Sequence, residues 1–279
     1  MFPETALVET AYAKINLALH VRARRGDGYH EIETLFAFAE VGDGLRAVPA
    51  DDVTLTIVGD FAKGLSNGSD NLVLRAAEAL RSAYGVKAGA AITLDKRLPV
   101  AAGIGGGSAD AAAALHLLTR LWDLPDDLDR LLALAAPLGA DVPACVMSQT
   151  LRGKGVGDDL ALVAKGALTG MPLLLVNPGV ACPTAPVFAA WDGVDRGPLA
   201  AGDALAAARA GRNDLEKPAL TLVPQIAGVL ETLNAQAGLI FARMSGSGAT
   251  CFGLFENEAA RDSAADAFAD AWRLKTNLR

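Results

Sequence analysis

The chain has 279 residues, 52% of them hydrophobic and 20% charged, which is typical of an α/β or α+β globular protein with one large or two smaller domains and excludes a disordered chain. The formal net charge of −7 argues against a broad nucleic-acid-binding surface, although local donors can still hold an anionic small molecule. Three widely spaced cysteines indicate a reducing compartment without a disulfide framework.

The N-terminus lacks a basic segment followed by an apolar run, and no window of about 18 uncharged apolar residues occurs in the chain. We therefore expect a cytosolic protein without a signal peptide or a membrane span. The sequence is compatible with a monomer and with a homodimer.

Hydrophobic periodicity and turn residues predict a succession of strands and helices. In chain order they are extended structure over 7–21, a strand over 53–58, a helix over 70–84 capped by Asp70, a strand over 91–100, a helix of about four turns from Ser108, a short helix over 126–134, a buried strand over 173–179, a strand–turn–strand over 241–255 and a C-terminal amphipathic helix over 259–275. The segments 151–159 and 191–203 are predicted linkers.

Residues 99–115, PVAAGIGGGSADAAAAL, place four glycines ahead of an alanine-rich helix. Small residues there let successive backbone N–H groups point at a phosphate, and the following helix adds its N-terminal amides and dipole. Neither a dinucleotide fingerprint nor a Walker A loop fits, because Ser108 stands where the third glycine would be and no lysine follows. A tight, closely packed strand-to-helix turn is the alternative, and the loop alone does not decide between the two.

Two further segments carry residues suited to phosphoryl transfer, which needs positioning and electrostatic stabilisation more than covalent chemistry. AYAKINL places Lys14 and Asn16 on one face of an apolar strand, where a lysine is unfavourable unless it is paired. GADVP places Asp141 in an apolar, constrained setting. Taken singly, an edge-strand charge for Lys14 and a turn or cap residue for Asp141 are the favoured interpretations.

Several other patterns are weaker. The three histidines have no metal-ligand spacing, and SGSGA at 245–249 lacks the offsets of a hydrolase nucleophile elbow. We interpret that segment as a second loop of close backbone approach, because a strand is predicted on each side.

Taken in chain order, AYAKINLALHV, DGYHEIETLF, PVAAGIGGGSADAAAAL, GADVP and MSGSGATCFGLF resemble the GHMP small-molecule kinases over about residues 10–255. AKINL followed by DGYH is the most specific part, because other kinases of the superfamily lack that pairing. The resemblance implies an α+β fold of two domains with the active site between them. The N-terminal, ATP-binding domain (1–155) would be of the ribosomal-protein-S5-domain-2 type, and the C-terminal domain (156–279) would be ferredoxin-like.

The same resemblance implies transfer of the ATP γ-phosphate to the 2-hydroxyl of a cytidine diphosphate ester of methylerythritol, in the non-mevalonate route to isoprenoids. Lys14 and Asp141 would be the catalytic pair, with Asp141 orienting the hydroxyl and accepting its proton. Mg²⁺ is expected to arrive with ATP, without an assigned carboxylate ligand. The implied ATP-binding residues are Pro99, Gly103, Gly105, Gly106, Gly107 and Ser108, and the implied substrate-binding residues are Asn16, Tyr29, His30, Thr184 and Phe188.

Some positions depart from the family pattern. Ala101 and Ala102 stand where many members have glycine, so the first half of the loop is expected to be stiffer. Ala109 replaces a common second serine, which leaves Ser108 as the hydroxyl of the loop. A superfamily kinase with another acceptor and a non-catalytic nucleotide sensor are the alternatives; DGYH disfavours the first, and the presence of both Lys14 and Asp141 disfavours the second.

Overall fold

The computed structural model describes residues 6–164 and 168–279, which form two compact units that alternate along the chain. Unit 1 comprises the described residues up to Ala13, Val41–Val100 and Gly105–Ser148. Unit 2 comprises Lys14–Glu40, Ala101–Ile104 and the described residues from Gln149 to Arg279. The first five residues, which are part of the N-terminal segment interpreted above, lie outside the described ranges.

Unit 1 combines strands with an alanine-rich helical layer. Its elements are the start of β1 (Leu7–Arg24), the end of β2 (His30–Ala50), β3 (Val53–Val58), α1 (Leu72–Tyr84), β4 (Gly89–Asp95), α2 (Gly106–Leu121), α3 (Leu128–Ala135), a 3-10 turn at Ala136–Leu138 and α4 (Val142–Met147). Strand β4 pairs parallel with β3 and antiparallel with the end of β2. Helix α2 packs against both α1 and α4, and its buried alanines allow this close approach.

Unit 2 is built around a four-stranded antiparallel sheet in the order β10-β7-β9-β8. Its elements are the remainder of β1 and β2, β5 (Leu151–Lys154), β6 (Asp159–Leu162), β7 (Pro172–Asn177), α5 (Thr184–Ala189), α6 (Ala204–Ala210), α7 (Glu216–Leu222), α8 (Gln225–Asn234), β8 (Leu239–Met244), β9 (Cys251–Phe255), α9 (Glu258–Asp266) and β10 (Trp272–Asn277). Helices α8 and α9 pack on this sheet, and all six residues of β7 are buried, as a central strand covered on both faces requires.

Two predictions about element type are wrong. The helix expected over 259–275 ends at Asp266, and Trp272–Asn277 is a strand that pairs antiparallel with β7. The hydrogen-bonding demand of the edge of β7 overrides the helical pattern there. The expected linker at 151–159 is instead largely the β5–β6 hairpin, whose first strand pairs with β2. The segment 191–203 has no regular secondary structure, as expected.

The starts of α1, α2 and α3 differ from the sequence predictions, and side chains cap α1 and α3. Helix α1 begins at Leu72, and the Asn71 Oδ1 atom accepts from the Val73 N–H at 2.9 Å, so Asn71 is the N-cap. Asp70 instead accepts from Ser66 Oγ at 2.6 Å. Helix α2 begins at Gly106, two residues before the predicted start. The short helix α3 has Asp127 as its cap.

The strand predicted over 91–100 ends at Asp95. Beyond it, the N–H groups of Arg97 and Leu98 donate to Asp43 Oδ1 at 2.6 and 2.8 Å. The buried Asp43 carboxylate therefore accepts backbone hydrogen bonds that a neighbouring strand would otherwise accept. The strands predicted over 7–21, 53–58, 173–179 and 241–255 are confirmed, with shifts of a few residues at their ends. In the described ranges, no helix combines the length and apolar composition needed to cross a bilayer.

Candidate active site

Lys14 lies on β1 in unit 2 with only 3% of its surface exposed. Its ammonium donates to Asn16 Oδ1 at 2.9 Å and lies 5.4 Å from the centroid of the Phe36 ring. The strand period of two places both polar side chains on one face, as predicted. Burial makes this charge strongly interacting, because little water screens it.

Asn16 is held in a single orientation. Its Oδ1 must face Lys14, because an ammonium only donates, and its Nδ2 donates to Thr34 Oγ1 at 2.8 Å. The Thr34 hydroxyl in turn donates to the Ala18 carbonyl at 2.7 Å. This chain of buried hydrogen bonds fixes the lysine on two neighbouring strands. Within unit 2, the structure shows Asn16 positioning Lys14.

The second glycine segment, at 245–248, packs backbone to backbone against Gly103. Ser245 Oγ donates to the Gly103 carbonyl at 2.8 Å and accepts from the Asn16 N–H at 3.1 Å. Gly103 has φ +76°, and a Cβ there would lie 2.3 Å from the Ser245 carbonyl oxygen. Close packing against protein therefore explains this glycine, whatever else approaches it.

We expect Gly103→Ala to lower the free energy of unfolding by about 1–2 kcal/mol for the left-handed backbone and by about 1–3 kcal/mol more for the collision. Gly64→Ala is the matched control, because Gly64 has φ +84° and a Cβ added there would meet no described atom within 4 Å. Urea unfolding of both variants measures the difference. Equal losses would mean that the Gly103 contact with Ser245 relaxes freely.

Tyr29 and His30 follow a tight turn in which the Tyr29 N–H donates to Asp27 Oδ1 at 3.1 Å. Tyr29 is 59% exposed. The His30 ring lies 5.0 Å from the Phe188 ring and, edge-on, 5.8 Å from the Trp191 ring, as measured between centroids. An aromatic cluster beside an exposed tyrosine can stack on a planar heterocycle.

Burial, reinforced by the charge of Arg24, lowers the pKa of His30, so the imidazole is neutral at pH 7. Its Nε2 atom is buried and has no hydrogen-bond partner among the described residues. A neutral imidazole has one donor and one acceptor, which suits the mixed edge of a pyrimidine. The geometry thus provides polar and stacking groups in one cluster.

Thr184 begins α5 and is exposed, and its hydroxyl lies 3.0 Å from Ser247 Oγ. Cys182 Sγ donates to the Ser247 carbonyl at 3.1 Å. The segment before α5 is therefore fixed to the loop at 245–248. Phe188, on the same helix, packs against the core of unit 2.

In unit 1, Gly105 is the N-cap of α2 with φ +64°, and it offers no side chain to the helix amides. The first-turn N–H groups of an α-helix have no partner within the helix, and here they belong to Gly106, Gly107 and Ser108. Ser108 is the third residue of the helix, within its first turn, and is half-buried. Pro99 is buried between β4 and the glycines.

Asp141 is the N-cap residue of α4, but its side chain does not bond to the helix amides. Its carbonyl accepts from the Cys145 N–H at 3.1 Å. Gly139 and Pro143 flank it, and the five residues Val142–Val146 are buried. The Asp141 carboxylate is half-buried at the start of this short helix and makes no hydrogen bond to the N-terminal amides of the helix.

A buried charged cluster lies under the glycine turn of unit 1, which comprises Gly105, Gly106 and Gly107. The Lys96 ammonium donates to Asp43 Oδ2 and Asp110 Oδ2, each at 2.5 Å. These side chains are 6% exposed or less. Asp43 also accepts two backbone N–H groups, whereas Asp110 Oδ1 has no partner among the described residues. Two carboxylates therefore share one ammonium.

Burial raises the pKa of Asp110 from 3.8 to about 7; the charge of Asp43 acts in the same direction, and Lys96 opposes it. Burial alone would lower the pKa of Lys96, but the charges of Asp110 and Asp43 outweigh it and raise that pKa. At neutral pH, Asp110 is therefore partly protonated.

This shift predicts a pH dependence of stability. Between pH 4 and 7 the folded protein keeps the Asp110 proton while the unfolded chain releases it, so this contribution to the free energy of unfolding falls as the pH rises and is constant above pH 7. Urea unfolding at pH 5 and pH 7.5 should show Asp110→Asn gaining stability relative to the native chain at the higher pH. An equal difference at both pH values would contradict the shift.

Sequence reasoning missed the residues that hold the candidate groups in place. They are Thr34, Asp43, Lys96, Asp110, Ser245 and Asn213. The Asn213 Nδ2 atom donates to the Met244 and Gly246 carbonyls, each at 2.8 Å, and so holds the loop at 245–248. Thr34, Asp110 and Ser245 lie inside segments that carry the family resemblance, so a closer inspection of those segments could have singled them out. Asp43 and Asn213 had no such signal, because their partners are distant along the chain.

The chain matches two family models, GHMP kinases N terminal domain over residues 71–149 and GHMP kinases C terminal over residues 198–274. The chain therefore belongs to the GHMP kinases, which are small-molecule kinases that use ATP, and the expected two-domain α+β fold is confirmed. The domain boundary after residue 155 stays a prediction.

Comparison with individual proteins identifies the branch of the GHMP kinases to which the chain belongs. A 4-diphosphocytidyl-2-C-methyl-D-erythritol kinase of Rhizorhabdus wittichii is 60% identical over 286 residues, covering 100% of this chain and 97% of that protein. One from Sphingopyxis alaskensis is 56% identical, covering 92% and 91%. The crystal structure of a 4-(cytidine 5'-diphospho)-2C-methyl-D-erythritol kinase superimposes with a TM-score of 0.81 at 37% identity, covering 98% and 99%. Within the GHMP kinases, the chain belongs to the 4-diphosphocytidyl-2-C-methyl-D-erythritol kinase family.

Proposed function

We propose that this chain transfers the γ-phosphate of ATP to the 2-hydroxyl of 4-diphosphocytidyl-2-C-methyl-D-erythritol, a step of the non-mevalonate route to isoprenoid precursors. The observation that carries the proposal is the presence, in unit 2, of a buried lysine oriented by Asn16 together with an aromatic cluster around a neutral histidine. The first suits phosphoryl transfer and the second suits a cytosine ring. The high identity to relatives with this name supports the same assignment.

Lys14 and Asp141 are the proposed catalytic pair. Lys14 stabilises negative charge on the transferring phosphoryl group, and its burial makes that interaction strong. Asp141 orients the acceptor hydroxyl and receives its proton; its side chain is half-buried at the N-terminus of α4. In a loose transition state the proton leaves late, so orientation contributes more than basicity.

ATP is proposed to place its triphosphate at the first turn of α2. The N–H groups of Gly106, Gly107 and Ser108 are available there, and the helix dipole favours an anion. Pro99, Gly103 and Gly105 shape the chain that leads into this turn. Mg²⁺ would come with the phosphates and would neutralise part of their charge, and the hydroxyl of Ser108, in the first turn of α2, would be an oxygen donor available to it.

The cytidine end of the acceptor is proposed to bind at the aromatic cluster. Tyr29 and Phe188 would stack on the base, and His30 would read its polar edge. Thr184, fixed by Ser247, and the glycines at 245–248 would approach the diphosphate. Asn16 would contribute through Lys14, which it orients.

The test is ADP release with a panel of acceptors: the cytidine diphosphate ester, methylerythritol without the nucleotide, mevalonate and homoserine. Turnover is expected for the ester, with far lower kcat/KM for the other three. Faster turnover of a plain polyol or of mevalonate would establish another kinase of the superfamily. Nucleotide binding without turnover of any acceptor would identify a sensor.

We expect His30→Phe to raise KM for the cytidine ester about fivefold, because the ring packing persists while a hydrogen bond worth about 1 kcal/mol is lost. The KM for ATP and kcat should change less than about twofold. Initial rates with each substrate varied in turn measure this split. A rise confined to the KM for ATP would place His30 at the nucleotide instead.

A further inference from the structure

The glycine turn of unit 1 has amides but little to anchor it. Gly105, Gly106 and Gly107 have no side chains, and glycine is the residue with the most backbone freedom to lose. Asp110, one turn further along α2, has a carboxylate that is bonded to a group outside the helix. Its partner Lys96 therefore connects the start of the helix to the strands.

Lys96 is itself fixed at its backbone. Its N–H donates to the Val58 carbonyl at 2.7 Å, and its carbonyl accepts from the Phe61 N–H at 3.1 Å. Its ammonium reaches under the turn, where a Cβ added to Gly106 would lie 3.1 Å from Nζ. The bond to Asp43 then holds the ammonium from the side of β2.

Stability does not explain this arrangement well. Burying two carboxylates with one ammonium carries a desolvation penalty that ion pairing often fails to offset, and apolar replacements are frequently neutral or better. The cluster also leaves Asp110 Oδ1 without a partner among the described residues. Fixing the geometry of the turn is a gain that an apolar cluster would not provide.

We propose that Lys96, held by Asp43 and Asp110, is a positioning residue that sets the first turn of α2 for the triphosphate of ATP. This inference rests on the proposed role of that turn in ATP binding. Lys96 acts through Asp110 and the start of α2, so its loss weakens the binding of the nucleotide and leaves the binding of the acceptor alcohol unchanged.

The experiment compares Asp110→Ala with Asp110→Asn in the full-length chain. The alanine removes the acceptor for Lys96, and we expect KM for ATP to rise about tenfold with KM for the cytidine ester unchanged. The asparagine keeps an acceptor oxygen and should restore KM for ATP to within about twofold of the native value. Asp95→Ala is the control, because the carboxylate of Asp95 pairs with the exposed Arg97, which lies outside α2.

Folding is followed by circular dichroism and urea unfolding for every variant. If Asp110→Ala does not fold, Lys96→Met combined with Asp110→Asn removes the ammonium together with one carboxylate and should show the same selective rise. Native KM for ATP in a folded Asp110→Ala or double variant would overturn the inference, as would equal changes in both KM values. A native chain that phosphorylates no acceptor would instead overturn the proposed function.

Discussion

Asp141→Asn is expected to lower kcat by about 10²–10⁴-fold, with the dissociation constant for ATP nearly unchanged. The amide keeps the size of the carboxylate, but it has one acceptor oxygen where the carboxylate has two, so it orients the acceptor hydroxyl less well and cannot receive its proton. Asparagine is nearly isosteric with aspartate, so α4 should be unaffected and the variant should fold.

Rapid-quench measurement of a single turnover separates the chemical step from product release in that experiment. Asp129→Asn is the control, since Asp129 is an exposed carboxylate of α3. Asp141 would be removed from the catalytic pair by a single-turnover rate close to the native one.

Lys14→Met is expected to lower kcat by about 10²–10³-fold, the effect of removing one preorganised electrostatic group from a water-excluded site. Methionine fills a similar volume beside Phe36 but leaves Asn16 Oδ1 without its donor, which should lower the free energy of unfolding by about 1–3 kcal/mol. Steady-state rates and urea unfolding of the same preparation separate the two effects.

The exposed Lys154 supplies the matched control, because Lys154→Met removes one positive charge from the surface of unit 2 by the same substitution. If Lys14→Met folds and turns over at a native rate, the buried lysine is structural. A combined Lys14→Met and Asp141→Asn variant should be little slower than the slower single variant, because residues that act as one unit are strongly non-additive.

Local sequence patterns predicted the strands correctly where the burial of a strand face alone determines the spacing of its apolar residues. Alternating apolar residues predicted β3, and a continuous apolar run predicted β7, because burial of one or both faces leaves that signature. The same logic placed Lys14 and Asn16 on one face of β1, and the structure confirms this, because the Lys14 ammonium donates to Asn16 Oδ1. The roles of the two residues in catalysis and substrate binding stay predictions.

Patterns failed where a distant partner decided the outcome. Trp272–Asn277 is a strand because the backbone N–H and C=O groups along one edge of β7 need hydrogen-bond partners, and the local sequence of 272–277 does not indicate this pairing. Likewise β4 ends at Asp95 because, after Lys96, the amides of Arg97 and Leu98 donate to Asp43, which lies far earlier in the chain on β2.

The glycine run shows the division within one segment. The sequence by itself determined that the backbone must come close to something there, and the combination of its motifs determined the kinase family. Only the tertiary structure decided what is approached: Gly103 meets the backbone of Ser245, and Gly106 lies above the Lys96 ammonium. The physical reason is that a missing side chain is a local property, whereas the group that fills its space comes from residues far away in the chain.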